Sequence, residues 1–70
     1  MSVFLQARIR DGAGWNTAPT FRARSRESGF RTAARKLGLR GRVLTIERVG
    51  SEQWAVNVDG HMMMVVEVRS

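Results

Sequence analysis

FRARSRESGFRTAARKLGLRGR, residues 21–42, combines the clearest helical pattern in the chain with most of its positive charge. Eight of the twelve Lys and Arg residues lie here against a single acid, Glu27, so the formal charge of the segment is 8 − 1 = +7. The remaining residues sum to 4 − 5 = −1. We therefore expect this segment both to organise the fold and to carry the surface that meets a partner.

The second half of the segment has the spacing of an amphipathic helix. Apolar residues at positions i, i+3, i+4 and i+7 form a stripe that packs against a sheet: they are Phe30, Ala33, Ala34 and Leu37. Either Ser25 or Ser28 can cap the amino end. Gly38 is suited to the carboxyl-terminal cap, with Leu39 making the accompanying apolar contact.

Residues 21–26 alternate instead, which is typical of a short strand with Arg22, Arg24 and Arg26 along one side. A helix over these residues would have no apolar stripe, and it would place Gly29 inside the helix at a cost of about 1 kcal/mol relative to Ala. Like charges two residues apart on a strand repel unless they are solvated or matched by an anion. The three arginines are therefore either solvated or matched by an anionic partner, and their spacing is an argument for the partner.

The amino-terminal residues predict a first strand and a loop. Residues 2–10 alternate, with Val3, Leu5, Ala7 and Ile9 on one side. Residues 11–19, DGAGWNTAP, are rich in turn formers and predict a loose hairpin loop that Pro19 closes. Trp15 in this loop has two interpretations: packing over the core edge, which we favour because Trp is highly buried on average, or contact with a partner.

Three more strands, residues 42–49, 52–58 and 62–68, follow with two-residue turns at Gly50-Ser51 and Asp59-Gly60. Alternation predicts that their core-facing side chains are Leu44, Ile46, Trp54, Val56, Val58, Met62, Met64, Val66 and Val68. The predicted fold is a single α+β domain, residues 1–70, with an antiparallel sheet of about five strands (β-β-α-β-β-β) and one helix on one face. The residues expected on the other face are Phe4, Gln6, Arg8, Arg10, the three arginines of residues 21–26, Val43, Thr45, Val49, Met63 and Val65. Part of this face is apolar, so a homodimer formed through it is an alternative.

Composition argues against several function classes. The chain of 70 residues has no Cys and one His, so disulfides are excluded and a structural zinc site has too few ligands. His61 follows a hairpin glycine, and no nucleophile has an evident base, so we expect neither catalysis nor a metal or cofactor. The apolar run 62–66 is far too short to span a membrane. A net charge of +6 predicts an acidic partner, either nucleic acid or an anionic protein face.

Several short motifs resemble one family. AARK at residues 33–36, GRVLTIERV at residues 41–49, Trp54-Ala55 and Asp59-Gly60 resemble small phage-encoded anti-CRISPR proteins that inhibit type I surveillance complexes, in particular a type I-F inhibitor family of β-β-α-β-β-β build. The resemblance implies inhibition without catalysis in the cytoplasm of a bacterial host. The protein would bind the repeated backbone subunits of the complex, where target DNA pairs with the guide.

The resemblance implies that basic residues of the helix make the contacts, and these map to Arg31, Arg35 and Lys36. The charge pattern adds four partner-binding candidates from the same segment: Arg22, Arg24, Arg26 and Arg40. The arginines at 22, 24 and 26 and the methionines at 62–64 depart from the pattern of the family, and the extra cations could also attract DNA non-specifically. The alternatives are a stand-alone basic nucleic-acid-binding module of a phage or mobile element, and a homodimeric adaptor.

Overall fold

The computed structural model describes residues 2–68. Its elements are β1 (Val3–Asp11), β2 (Gly14–Ala23), α1 (Arg26–Lys36), β3 (Val43–Gly50), β4 (Gln53–Val58) and β5 (His61–Glu67). The strands form one antiparallel sheet in the order β2-β1-β5-β4-β3, with the helix on one face. The predicted α+β fold and its element order are confirmed.

The first hairpin is tighter than predicted. A two-residue turn, Gly12-Ala13, joins β1 to β2, and Gly12 has a φ of 61°. The predicted loop ending at Pro19 is therefore wrong, because β2 already begins at Gly14. Pro19 is accommodated since β2 is an edge strand and its register with β1 shifts between Ala18 and Phe21. An edge strand or a bulge tolerates the missing N–H of proline.

The helix starts earlier than its apolar stripe suggests. Ser25 is the amino-terminal cap and forms a capping box with Ser28, whose N–H donates to Ser25 Oγ at 3.3 Å. The predicted strand over residues 21–26 is wrong at its end, because β2 stops at Ala23 and Arg26 is the first helical residue. The cap supplies partners for the backbone N–H groups in the first turn of the helix. In a continued strand, these groups would need a neighbouring strand as their partner.

The carboxyl end of the helix follows the prediction. Gly38 has a φ of 75°, and its N–H donates to Arg35 O at 3.1 Å. The Leu39 N–H donates to Ala34 O at 2.8 Å. These two bonds form a Schellman motif, in which a glycine readily adopts the left-handed conformation.

Gly29 lies inside the helix because the sheet comes very close to it there. The glycine is buried, and a Cβ added at this position would overlap Leu5 Cδ1 and would lie 3.1 Å from Ala23 Cβ. The propensity argument against a helical Gly29 is thus overridden by packing: the absence of a side chain lets the helix sit directly on β1 and β2.

The core lies between the helix and the middle of the sheet. The helical stripe is buried as predicted, and so are the predicted core residues at the centres of β1 and β4. These residues are Phe30, Ala33, Ala34, Leu37, Leu5, Ala7, Trp54, Val56 and Val58. Val3 and Ile9 are half-buried against the same core. The rings of Phe30 and Trp54 pack with their centroids 5.9 Å apart, so the helix is joined to β4 through aromatic contact.

On β5 the predicted facing is wrong. Met63 and Val65 are buried, whereas Met62 is 52% exposed; Met64, Val66 and Val68, also predicted to be core residues, are only partly buried. The reason is the hairpin register. The Asp59-Gly60 turn is confirmed, with φ of 52° and 91°, and it pairs Val58 with His61, so Val56 lies opposite Met63.

The predicted burial of β3 is also wrong. Leu44 is 57% exposed and Ile46 is 46% exposed, because the helix packs mainly over β2, β1 and β5, with Phe30 reaching Trp54 of β4, and β3 lies beyond it. The pairing of β3 with β4 is irregular at Leu44 and Val49, each of which is an extra residue on the β3 side. Such bulges blunt an edge strand. The turn after β3 is Ser51-Glu52, one residue later than predicted.

Candidate anion-binding cleft

A cleft arises on the helix side of the sheet because one helix is narrower than the sheet beneath it. Five strands span about 19 Å between the outer strand axes, whereas a helix with its side chains is about 10–12 Å across. Since the helix sits over β2, β1 and β5, a gap remains between the helix and β3. This gap is a cleft of about 760 Å³.

The helix supplies one wall of the cleft through residues spaced three and four apart, which share one face of a helix: Glu27, Phe30, Arg31, Ala34 and Arg35. The segment after the helix and the first half of β3 supply the other wall: Leu39, Arg40, Gly41, Arg42, Val43 and Ile46. The cleft therefore combines an apolar lining with charged rims.

Positive charge dominates this cleft. Arg31, Arg35, Arg40 and Arg42 line it, and Glu27 is the one carboxylate in the lining, so the formal charge is 4 − 1 = +3. All four arginines are exposed. A guanidinium group presents a planar fork of N–H donors that matches the two oxygens of a carboxylate or phosphate. The arrangement is thus suited to holding an anion against an apolar surface.

Backbone contacts fix the segment that carries two of these arginines. The Asp59 N–H donates to Arg42 O at 3.0 Å. Gly41 has a φ of 118° and packs directly against the Asp59 side chain, so that a Cβ at Gly41 would overlap it. The β4–β5 turn therefore anchors the backbone between Arg40 and Arg42.

The seven candidates named from the sequence separate into distinct places. Arg31, Arg35 and Arg40 come together in the cleft. Lys36 does not join them, because its Nζ lies 5.4 Å from the centroid of the Phe21 ring over β2. Its predicted grouping with the two helical arginines into one surface does not match this placement.

Arg26 does not lie in a row with Arg22 and Arg24 on a strand; it packs against side chains of β4 and β5. Its Nε donates to Glu67 Oε1 at 2.9 Å, and its guanidinium carbon lies 5.1 Å from the centroid of the Trp54 ring. Arg22 is exposed on β2, and Arg24 is exposed in the bend between β2 and the helix. The expected row of three arginines therefore does not form.

The structure places two further residues differently from what we expected from the sequence. Arg42 lines the cleft, although it is not among the seven candidates. The available signal was its place four residues after Gly38, in the segment that follows the helix. Trp15 is 54% exposed on β2, with the Arg8 guanidinium carbon 4.6 Å from its ring centroid, so the favoured packing of Trp15 on the core edge is wrong.

Among residues 2–68, no three His, Cys, Asp or Glu side chains are grouped so as to hold a metal ion. In the same range, no helix has the length and apolar character needed to cross a membrane. No protein-family model, curated protein or solved structure matches the chain.

Proposed function

We propose that the protein is a non-catalytic binding protein whose arginine cleft takes an acidic partner, and that this partner is a type I CRISPR surveillance complex in a bacterial cytoplasm. The observation that carries the proposal is the convergence of Arg31, Arg35, Arg40 and Arg42 in one cleft against a single carboxylate. Binding there would block the path of target DNA on the complex.

The chemistry of the cleft supports a macromolecular partner. Arginine is enriched at protein interfaces, where its guanidinium pairs with carboxylates and its stem contacts apolar groups. Phe30, Leu39 and Ile46 provide apolar surface between the charged rims. A carboxylate-bearing loop, or an acidic strip on a large assembly, would satisfy both kinds of contact.

The resemblance in the sequence supports the choice of partner. The resembling motifs lie in the second half of the helix, in β3 with the two residues before it, in β4, and in the turn between β4 and β5. Both halves of the helix, β3 and the residues between them line the cleft, and the turn between β4 and β5 anchors its Arg40 to Arg42 segment. The residues that the resemblance implies as contacts and the residues of the cleft therefore share Arg31 and Arg35.

The test is co-purification of the protein with purified type I complexes, in the presence and absence of target DNA. The variant Arg31→Glu with Arg35→Glu should lose retention by at least about tenfold, since hydrogen bonds to charged groups contribute about 1.5–3 kcal/mol each. The matched control is Arg10→Glu with Arg22→Glu, which changes the net charge equally but lies outside the cleft. The control should be retained like the wild type.

Two results would count against this proposal. If none of the purified type I complexes retains the protein, the proposed partner is wrong. Equal losses in the two double variants would mean that net charge, rather than the cleft, governs binding.

A second candidate is a stand-alone nucleic-acid-binding module, which the +7 charge of residues 21–42 favours. Free protein should then shift short duplex DNA at moderate salt, and the Arg31→Glu, Arg35→Glu variant should not.

The homodimeric adaptor is favoured by the exposure of Leu44, Val49 and Met62. A monomeric mass in sedimentation equilibrium would remove that alternative.

A further inference from the structure

A second cationic surface lies on the sheet face opposite the helix, on β1 and β2. Leu5 and Ala7 of β1 are buried under the helix, so alternation turns the even-numbered β1 residues to the other side. The register places Arg10 opposite Trp15, Arg8 opposite Thr17 and Phe4 opposite Arg22. We call this surface the open face; its members on these two strands are Phe4, Gln6, Arg8, Arg10, Trp15, Thr17 and Arg22.

Trp15 and Arg8 form a stacked pair on the open face. They are diagonal neighbours across the two strands, and the guanidinium carbon lies 4.6 Å from the indole centroid. Trp15 nevertheless remains 54% exposed. Much of its aromatic surface is thus available to a ligand, and the neighbouring guanidinium plane can itself stack on a nucleobase.

A depression of about 310 Å³ lies next to Arg8 on the same face. Its polar lining consists of Gln6, Arg8, Thr17 and Gln53, and Val66 contributes apolar surface. Side-chain amides offer both hydrogen-bond donors and acceptors. This combination matches the edge of an unpaired base, which also presents both.

The charged side chains that β1 and β2 place on the open face favour an anionic ligand. Glu47 of β3 lies on the same face, three strands away from β1. Arg8, Arg10 and Arg22 are exposed. Asp11 is the one acid in β1 and β2, and it lies at the turn, where alternation places it on the side of Ile9 and the helix. From Arg10 to Phe4, which pairs with Arg22, six residues of strand span about 20 Å. The guanidinium groups of Arg10 and Arg22 can therefore contact separate phosphates of one extended strand.

We propose that the open face binds single-stranded nucleic acid. Bases stack on Trp15 and the Arg8 plane, one base enters the adjacent depression, and Arg10 and Arg22 contact phosphates. A duplex keeps its bases paired and stacked internally, so it cannot use an aromatic platform of this kind. The site is separate from the arginine cleft, which lies between the other face of the sheet and the helix.

The experiment is a titration of fluorescein-labelled oligothymidylate and oligouridylate, each of about 12 nucleotides, monitored by anisotropy and by tryptophan fluorescence. Both should bind, and binding should quench the exposed Trp15. Trp15→Leu removes the aromatic face and should weaken binding about 5- to 150-fold, whereas Trp15→Phe should retain most of it. With the two phosphate contacts of Arg10 and Arg22, log K should fall against log salt with a slope of about −1.4.

Variants of the two surfaces separate this proposal from the proposed function. Arg10→Glu with Arg22→Glu should abolish oligonucleotide binding, and Arg31→Glu with Arg35→Glu should leave it unchanged. Melting curves report whether each variant is folded, and in the Trp15 variants the fluorescence of buried Trp54 reports it as well.

The proposal is overturned by any of three results: no binding of either oligonucleotide by the wild type, wild-type affinity in folded Trp15→Leu, or equal competition by a duplex of the same length. A loss confined to the cleft variant would also overturn it, because the nucleic acid would then occupy the cleft. Loss of retention on a surveillance complex has no bearing on this measurement.

Discussion

Replacing Gly29 with Ala should destabilise the protein, although helix propensity alone predicts the opposite. In an open helix interior, Gly→Ala contributes about 1 kcal/mol of stability. Here the new methyl group would overlap Leu5 Cδ1 and lie 3.1 Å from Ala23 Cβ. Leu5 is fully buried, so it cannot turn its side chain into solvent to make room.

The expected magnitude follows from the two opposing effects. Overpacking a well-packed core costs about 1–3 kcal/mol, and the gain in propensity offsets about 1 kcal/mol of it. The net loss should be about 1 kcal/mol. For a domain of this size, such a loss lowers the melting temperature by about 4–8 °C.

The assay is thermal unfolding followed by circular dichroism, with Leu5→Val and the Gly29→Ala, Leu5→Val double variant measured alongside. Because the shorter side chain makes room for the methyl group, the double variant should be more stable than the sum of the two single effects predicts. A rise in the melting temperature of Gly29→Ala would refute the reasoning, since it would mean that the helix does not approach β1 as closely as described. Additive single effects would likewise show that Leu5 and residue 29 do not meet.

Two further predictions test the hairpin register and the helix cap. Met63→Ala should lower the free energy of unfolding by about 2–4 kcal/mol because Met63 is fully buried. Met62→Ala, at an exposed position on the same strand, should change it by less than about 0.5 kcal/mol. Denaturant titration measures both variants, and a larger loss for Met62→Ala than for Met63→Ala would contradict the register. Gly38→Ala should cost about 1 kcal/mol, because its φ of 75° is unfavourable for a residue with a Cβ. An unchanged denaturation midpoint would show that the Schellman motif does not form.

The strand assignments show where local patterns carry enough information. In β4, Gln53 and Asn57 alternate with Trp54, Val56 and Val58, so polarity alone identifies the buried side. In β5, residues 62–66 are all apolar, and alternation cannot distinguish one side from the other. The buried side of β5 follows instead from the two-residue Asp59-Gly60 turn. This turn pairs Val58 with His61 and so sets the register of every later pair.

The helix boundary shows how local signals compete. Alternation through Arg26 favoured a strand, while Ser25 and Ser28 offered a cap. In the structure the capping box prevails, and it takes Arg26 out of the strand and onto Trp54 and Glu67. The predicted strand end, Arg26, lies three residues beyond the actual end of β2 at Ala23. This error alone produced the predicted row of three arginines, which the structure does not contain.

The sequence by itself determined the α+β class, the order of the elements, the buried stripe of the helix, its glycine cap and the concentration of charge in residues 21–42. These properties follow from periodicity, turn chemistry and charge, which act over a few neighbouring residues. Only the tertiary structure decided which of those charges lie together. Because the helix is narrower than the sheet and sits over β2, β1 and β5, Arg31 and Arg35 face Arg40 and Arg42 across a cleft, while Lys36 and Arg26 pack against aromatic rings elsewhere. The strand pairing likewise places Arg8 on Trp15, a contact that depends on the register of two strands and not on any local pattern.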